Sequence, residues 1–288
     1  MFLIALTLKL IGSESRSMQP FLKWPGGKRW FISHYRHAFP DKYNHYFEPF
    51  LGGGSAFFSL RPQQATISDI NSELINIYRV MAKNPAQLRA FLLKHQELHS
   101  EEYFYNIRAN VPKGAINKAA RFLYLNRTCF NGMYRVNRLG EFNVPIGTKQ
   151  QFIKDVELFE DYSTVLNNVY IKTQDFVVTL RNASQGDFIF ADPPYTIAHN
   201  QNSFIKYNER LFSWKDQKRL LRALVKARDR GAIILATNAY YPAVQQMYEE
   251  HQFYTQPISR YSSIAGNKAG RKAQEELLIS SYQISLYD

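Results

Sequence analysis

Short apolar runs and helical periodicities follow one another along most of this chain. Tyr43 to Leu51 is an aromatic stretch of strand character, followed by Gly52-Gly53-Gly54-Ser55 and by Ala56 to Leu60, which opens a helix. Strand, glycine turn and helix make the first half of a βαβ unit. Ala65 to Ser68 predicts a short strand ending at Asp69, and Glu73 to Val80 a helix. From 84 to 126 the spacing is helical: Pro85 starts one helix with Leu88, Phe91 and Leu92 on its apolar side, and Ala115 to Leu125 forms another, with Ala119, Phe122, Leu123 and Tyr124 as core candidates. Between Asn126 and Gly147 the periodicity stops. Gly, Asn, Arg and aromatics alternate, and Arg138-Leu139-Gly140-Glu141 reads as a hairpin turn, so the block has the texture of a presented surface. Strands resume at Val169 to Ile171, ending near Asp175, then at Asp187 to Ala191 and at Gly231 to Ala236, the last ending at Thr237-Asn238. Asp216 to Arg228 predicts a helix, 196–213 a long loop, and Glu276 to Ser280 a last strand beyond a mixed region. The simplest architecture is a mononucleotide-binding α/β sheet carrying an insert at roughly 76–165.

Composition narrows this picture. A chain of 288 residues with 45% apolar content suits one large domain, or one domain with a smaller insert, and has ample material for a core. Lys plus Arg number 36 against 24 Asp plus Glu, a formal net charge of +12, which makes nucleic acid the leading partner class. The 19 Tyr and 21 Phe add rings on which unpaired bases can stack. One cysteine, Cys129, excludes an intrachain disulfide framework and a multi-cysteine metal site, and points to a reducing, cytoplasmic compartment. The apolar opening, Met1 to Ile11, is too short to span a bilayer and lacks the marks of a signal peptide. Residues 1–17 read as a non-conforming or disordered extension ahead of Met18, where the patterned sequence begins.

The sharpest chemical signal is Asp192-Pro193-Pro194-Tyr195, at the end of the apolar run Asp187 to Ala191. An exocyclic base amine is a poor nucleophile because its lone pair is delocalised into the ring. The Asp192 carboxylate and the Pro193 carbonyl are two acceptors for its hydrogens, and Tyr195 is a ring for the face of a flipped base. Direct attack on a methylsulfonium donor then needs no metal and no covalent enzyme intermediate. Phe50-Leu-Gly-Gly-Gly54-Ser is neither a dinucleotide fingerprint nor a P-loop, but it permits close approach of backbone to a ligand. Asp69, at the end of the next strand, is either a helix cap or an acceptor for two ribose hydroxyls. Glu48 can meet a cationic or amino group. Trp24 is a platform ring or a core residue, and Lys28 is a ligand contact or a solvated charge.

These stretches together closely resemble the Dam-type (D12 class) DNA adenine-N6 methyltransferases. The resemblance runs from about Pro20 to Leu278. It rests on Phe21-Leu-Lys-Trp-Pro-Gly-Gly-Lys28, Glu48-Pro-Phe-Leu-Gly-Gly-Gly-Ser55, Ser68-Asp-Ile-Asn-Ser-Glu-Leu74, Phe122-Leu-Tyr-Leu-Asn-Arg127, Asn131-Gly-Met-Tyr-Arg135, Gly140-Glu-Phe-Asn-Val-Pro-Ile-Gly147 and Asp192-Pro-Pro-Tyr195, in that order. It implies an α/β fold: a doubly wound, Rossmann-like S-adenosylmethionine-dependent methyltransferase sheet of seven strands, one of them antiparallel, with an inserted, mainly helical DNA-recognition domain. The catalytic domain would comprise 18–75 and 166–288, and the target-recognition domain 76–165.

By the same resemblance the methyl donor is S-adenosyl-L-methionine, with S-adenosyl-L-homocysteine as product. Trp24 and Lys28 line its site, Glu48, Phe50, Gly52, Gly53 and Gly54 surround its methionine part, Asp69 holds the ribose, and Asp175 and Phe176 meet its adenine. Lys23, Phe130, Asn131, Met133, Arg135 and Pro145 match positions that approach a GATC site in the family. Phe130 replaces a tyrosine carried by many members, keeping the ring and losing the hydroxyl. Met133 is a base contact or a core residue, and Arg127 a phosphate contact or a brace for the insert. Lys268, Arg271 and Lys272 are phosphate contacts or a solvated basic loop. The expected partner is double-stranded DNA, with no membrane role, for a monomer of the bacterial cytosol or nucleoid, or one encoded by a phage, that is open to pairing with a restriction endonuclease. Methylation of another exocyclic amine or another site, and a catalytically silent DNA-binding regulator, are the competing readings.

Overall fold

The computed structural model describes residues 18–137, 139–153, 159–195, 212–261 and 273–285. Among these, seven strands form one sheet: β1 (Tyr46–Glu48), β2 (Ala65–Asp69), β3 (Val169–Thr173), β4 (Phe188–Ala191), β5 (Ile233–Ala239), β6 (Tyr254–Tyr261) and β7 (Ala273–Ser280), in the spatial order β3-β2-β1-β4-β5-β7-β6. Strands β1 to β5 pair in parallel, while β7 runs antiparallel to both β5 and β6. The order reverses between β1 and β4. In open α/β sheets that switch point, at the carboxyl ends of the strands, is where ligands bind.

The apolar runs fill two layers because successive strand residues face opposite ways. Tyr46, Phe188, Phe190, Leu235 and Leu278 enter one hydrophobic cluster; Phe47, Ile189, Ala191, Ile234, Ala236, Leu277 and Ile279 enter the other. The first cluster is covered by α1 (Arg29–His34), α2 (Ser55–Leu60), α3 (Ser72–Lys83) and the helices that follow. The second is covered by α8 (Phe176–Leu180), α9 (Trp214–Asp229) and α10 (Pro242–Glu249). Local chemistry starts these helices. Asn71 accepts from the Glu73 and Leu74 amides ahead of α3, Ser213 and Asp216 close a capping box at α9, and Pro242 opens α10.

The helical insert consists of α4 (Pro85–Glu97), α5 (Glu101–Ala109), α6 (Ala115–Thr128) and α7 (Phe159–Leu166). The expected boundary at residue 76 falls inside α3, which packs on β2 and β3 on one side and on α6 and α7 on the other. The insert thereby shares a hydrophobic cluster with the sheet. A second expectation changes in detail. The block 126–147 is a presented surface at its tips, but Phe142 and Val144 sink into that cluster. Among the described residues no helix is long and apolar enough to cross a membrane.

Candidate active site

The chain leaves β4 through Asp192-Pro193-Pro194-Tyr195 at the carboxyl edge of the parallel strands. The two prolines carry no N–H, so neither can donate to a neighbouring strand. Thr237, on β5, donates its hydroxyl to Asp192 Oδ1 at 2.7 Å. Lys28 Nζ lies 3.1 Å from the same oxygen and 3.1 Å from Glu276 Oε2 on β7. Lys28 also donates to the Tyr195 hydroxyl at 2.5 Å, and that hydroxyl donates to Glu276 Oε2 at 2.6 Å. Asp192 Oδ2 and the Pro193 carbonyl take no hydrogen bond among the described residues. Burial raises the Asp192 carboxyl above the ordinary range, the Lys28 charge and the Thr237 hydroxyl pull it back, and Glu276 pushes it up again.

Lys28 and Glu276 are each only 3% exposed, so both ions depend on their partners. A buried charge is tolerated when its hydrogen-bonding capacity is filled. The ammonium meets two carboxylates and a phenol, and lies 4.5 Å from the centroid of the Tyr195 ring. Lys28, a donor contact by resemblance, sits within the Asp192 cluster.

Beside this cluster runs the glycine loop. Gly52 has φ +48 and Gly54 φ +67, left-handed conformations that favour glycine. A Cβ on Gly52 would stand 2.7 Å from Trp24 Cδ1, and one on Gly54 2.9 Å from the Tyr78 hydroxyl. Trp24 stacks on Tyr134 of the insert, with centroids 4.8 Å apart, and backs the loop. Asp69 links the next strand to the loop by accepting from Gly52 N at 3.1 Å through one oxygen and from Asn71 N at 3.0 Å through the other. Two of the carboxylate's roughly four lone-pair positions are thus used. Ile70, directly after it, is 73% exposed. Phe50 packs on Phe176 at 5.2 Å, where the Arg219 guanidinium lies 4.9 Å from the Phe176 centroid. Asp175 caps α8 through Val177 N and pairs with Arg219 at 2.9 Å.

Glu48 ends β1 next to the loop and is 3% exposed. Burial pushes its carboxyl up to about 8, although the Tyr46 hydroxyl, which donates to it at 2.8 Å, acts to lower it. Between the ordinary 4.5 and about 8, the native chain therefore holds a proton that the unfolded chain has released. Stability from this group falls as pH rises through that window, with a slope of up to about 1.4 kcal/mol per pH unit. Denaturant unfolding at pH 5 and pH 8 checks it: Glu48→Gln should gain stability relative to the parent at pH 8 and lose that advantage at pH 5.

The insert presents most of the other expected residues on one loop, and Lys23 lies on the segment before α1. Phe130 is 53% and Met133 38% exposed, and Lys23, Asn131, Arg135 and Pro145 are exposed as well. Of the two alternatives for Met133, the core is thus not where it lies. The loop is pinned at its base: Phe130 N donates to Pro145 O at 2.9 Å and Gly147 N to Thr128 O at 2.7 Å. Asn131 adopts φ 56, and Arg135 donates from Nε to Asn143 Oδ1 at 2.9 Å. Arg127 does not join this face. Its guanidinium donates to Phe21 O at 2.9 Å and to Phe152 O at 3.2 Å, which is the bracing alternative. Lys268, Arg271 and Lys272 lie outside the described residues.

Three groups with evident roles carry no assignment from sequence. Glu276 and Thr237 complete the Asp192 cluster. Asn126, 1% exposed, accepts from Lys23 N at 2.9 Å and donates to Lys23 O at 2.8 Å, tying α6 to the segment that carries Trp24 and Lys28. Each is a polar residue at the edge of an apolar run, and that is the signal by which buried polar function can be sought.

Comparison with known proteins adds chemistry to this geometry. Residues 24–263 match the D12 class N6 adenine-specific DNA methyltransferase family. A Type II methyltransferase of Lactococcus lactis subsp. cremoris is 38% identical over 96% of this chain and 99% of its own length. Another, from Methanocaldococcus jannaschii, is 32% identical over 92% of this chain and 99% of its own. The DNA adenine methylase of Escherichia coli K12 is 28% identical over 90% and 93%. The glycine loop and the Asp192 tetrapeptide both lie within the matched span, and the chain belongs to the D12 class of N6 adenine-specific DNA methyltransferases.

Proposed function

We propose that this chain methylates the N6 amine of an adenine drawn out of a DNA duplex, within GATC, at the edge formed by Asp192 to Tyr195. The observation that carries this reading is Asp192, with one oxygen fixed by Thr237 and Lys28 and the other open. Asp192 Oδ2 and the Pro193 carbonyl accept the two amine hydrogens and favour localisation of the nitrogen lone pair. An acceptor pair at the end of a buried strand cannot reach an amine inside a paired stack, which supports extrusion of the base. The Tyr195 ring offers it a face. Most of the work is orientation.

S-adenosylmethionine, the donor implied by the family, supplies an electrophilic methyl on a sulfonium. The residues of this chain fit it. Asp69 retains lone pairs for ribose hydroxyls, Ile70 offers exposed apolar surface beside them, and Glu48 brings a carboxyl to the loop at Phe50, Gly52, Gly53 and Gly54. Trp24 backs that loop, and Phe176 and Asp175 close its far side.

The exposed ledge of Lys23, Phe130, Asn131, Met133, Arg135 and Pro145 reads the duplex, and the charge of +12 supports attraction to phosphate. Phe130 fills the space left by the extruded base. Arg135 binds a guanine edge, an interaction worth about 1–3 kcal/mol of discrimination. Two relatives named Type II methyltransferases favour pairing of this monomer with a restriction endonuclease. Methylation-sensitive sequencing of DNA from a methylase-free host tests base and site together. Expected is N6-methyladenine in GATC for the parent, and tolerance of other bases at one guanine for Arg135→Ala. Methylation elsewhere would sink the site, and an unchanged profile in the variant would sink the Arg135 role.

A further inference from the structure

We infer that Glu276 is a positioning residue for methyl transfer: it anchors the Tyr195 hydroxyl and shares Lys28 with Asp192, so that ring and carboxylate both stand ready for the base. The inference rests on the reading of Asp192 as acceptor for the adenine amine.

Tyr195 has one hydroxyl proton, and it goes to Glu276 Oε2 at 2.6 Å. The Lys28 ammonium occupies the other side of the same phenol oxygen at 2.5 Å. Together they fix the direction of the ring. Glu276 reaches this edge only because β7 is antiparallel. Its residue pairs across Ala239 at the carboxyl end of β5, so the amino half of β7 lies beside the carboxyl ends of the parallel strands.

Glu276 also sets the charge. The groups facing Asp192 are Lys28 from the segment before α1, Glu276 from β7, Glu48 from β1, Tyr195 from its own strand exit and the neutral Thr237 hydroxyl from β5. Below pH about 8 Glu48 is mostly protonated, which leaves one cation between two carboxylates. Without Glu276, Lys28 would pair with Asp192 alone and hold its negative charge more tightly, weakening it as an acceptor.

Single-turnover kinetics on a DNA duplex with S-adenosylmethionine test this. Glu276→Gln should slow the chemical step about 10- to 100-fold while the KM for DNA stays within about twofold. The acidic limb of its pH–rate profile should move to lower pH, because a negative neighbour that opposes ionisation of Asp192 is gone. Glu276→Asp keeps the charge and should leave that limb in place. In a Tyr195→Phe background, Glu276→Gln should cost less than it does alone. A Glu276→Gln enzyme with the parent rate, or slowed with an unmoved acidic limb, overturns the inference. If Glu276→Gln does not fold, Tyr195→Phe tests the same arm, and transfer at the parent rate there overturns it too. Asp192→Ala serves as the separate control: activity in that variant would remove the underlying reading, whereas its inactivity beside a fully active Glu276→Gln removes only the role of Glu276.

Discussion

Asp192→Ala should lose methyl transfer by about 10²–10³-fold or more, the scale set by removing one preorganised polar group from a reacting centre. Binding of DNA and of the donor should change little, since the exposed ledge and the glycine loop lie on other segments. The geometry makes this an orientation loss. Thr237 and Lys28 hold Oδ1, so Oδ2 is presented in one direction. Alanine leaves the amine with the Pro193 carbonyl alone and its lone pair in the ring. Asp192→Asn sharpens the test, because the amide keeps the shape but has one acceptor atom where the carboxylate has two. Single-turnover methyl transfer, with donor and DNA binding measured separately, decides it. A variant that transfers methyl at the parent rate would end the acceptor mechanism.

Lys28→Met should produce the largest loss of stability of any substitution in the cluster. The methionine fills similar volume but leaves the half-buried Asp192 and the buried Glu276 beside one another with no cation between them. Stranding buried charge costs about 3–5 kcal/mol, roughly 10 °C in melting temperature for a chain of this size. The loss should depend on pH with a defined sign. Burial already raises the Asp192 carboxyl and Lys28 pulls it back, so without Lys28 the native state binds more protons there than the unfolded chain, and the variant recovers stability as pH falls from 7.5 to 5.5. Denaturant unfolding at those two values checks it. Adding Glu276→Gln should restore part of the loss at pH 7.5, since one of the stranded charges is removed. Equal stability of parent and Lys28→Met at pH 7.5 would show that the ion cluster does not hold this edge together.

Much of the fold was legible because it follows short-range patterns. The strands at β2 and β4, the helices α3, α6 and α9, and the glycine turn all lie within a residue or a few of the positions their periodicity predicts. The last third of the chain is less legible. Strand β6 holds Pro257 and escapes the pattern, and it tolerates the proline because it is an edge strand. Helix α10 is only two turns long and sits within the same mixed region. The boundary expected at 76 falls inside α3, a helix that packs on both the sheet and the insert.

The sequence by itself determined the chemistry that is local along the chain. The acceptor carboxylate beside two prolines, the glycines that admit a close backbone and the aromatic, basic loop of the insert each lie within a few residues, and short spacing fixes their relation. Tertiary structure decided what the isolated charges do. Lys28 meets Tyr195 across 167 residues, and Tyr195 meets Glu276 across 81. No local pattern encodes such meetings. They follow from the order of strands and from the reversed direction of β7, which brings a buried glutamate to the carboxyl edge of the sheet. A lysine that sequence reads as a ligand contact or a solvated charge becomes, once buried between two carboxylates, the cation on which the site is built.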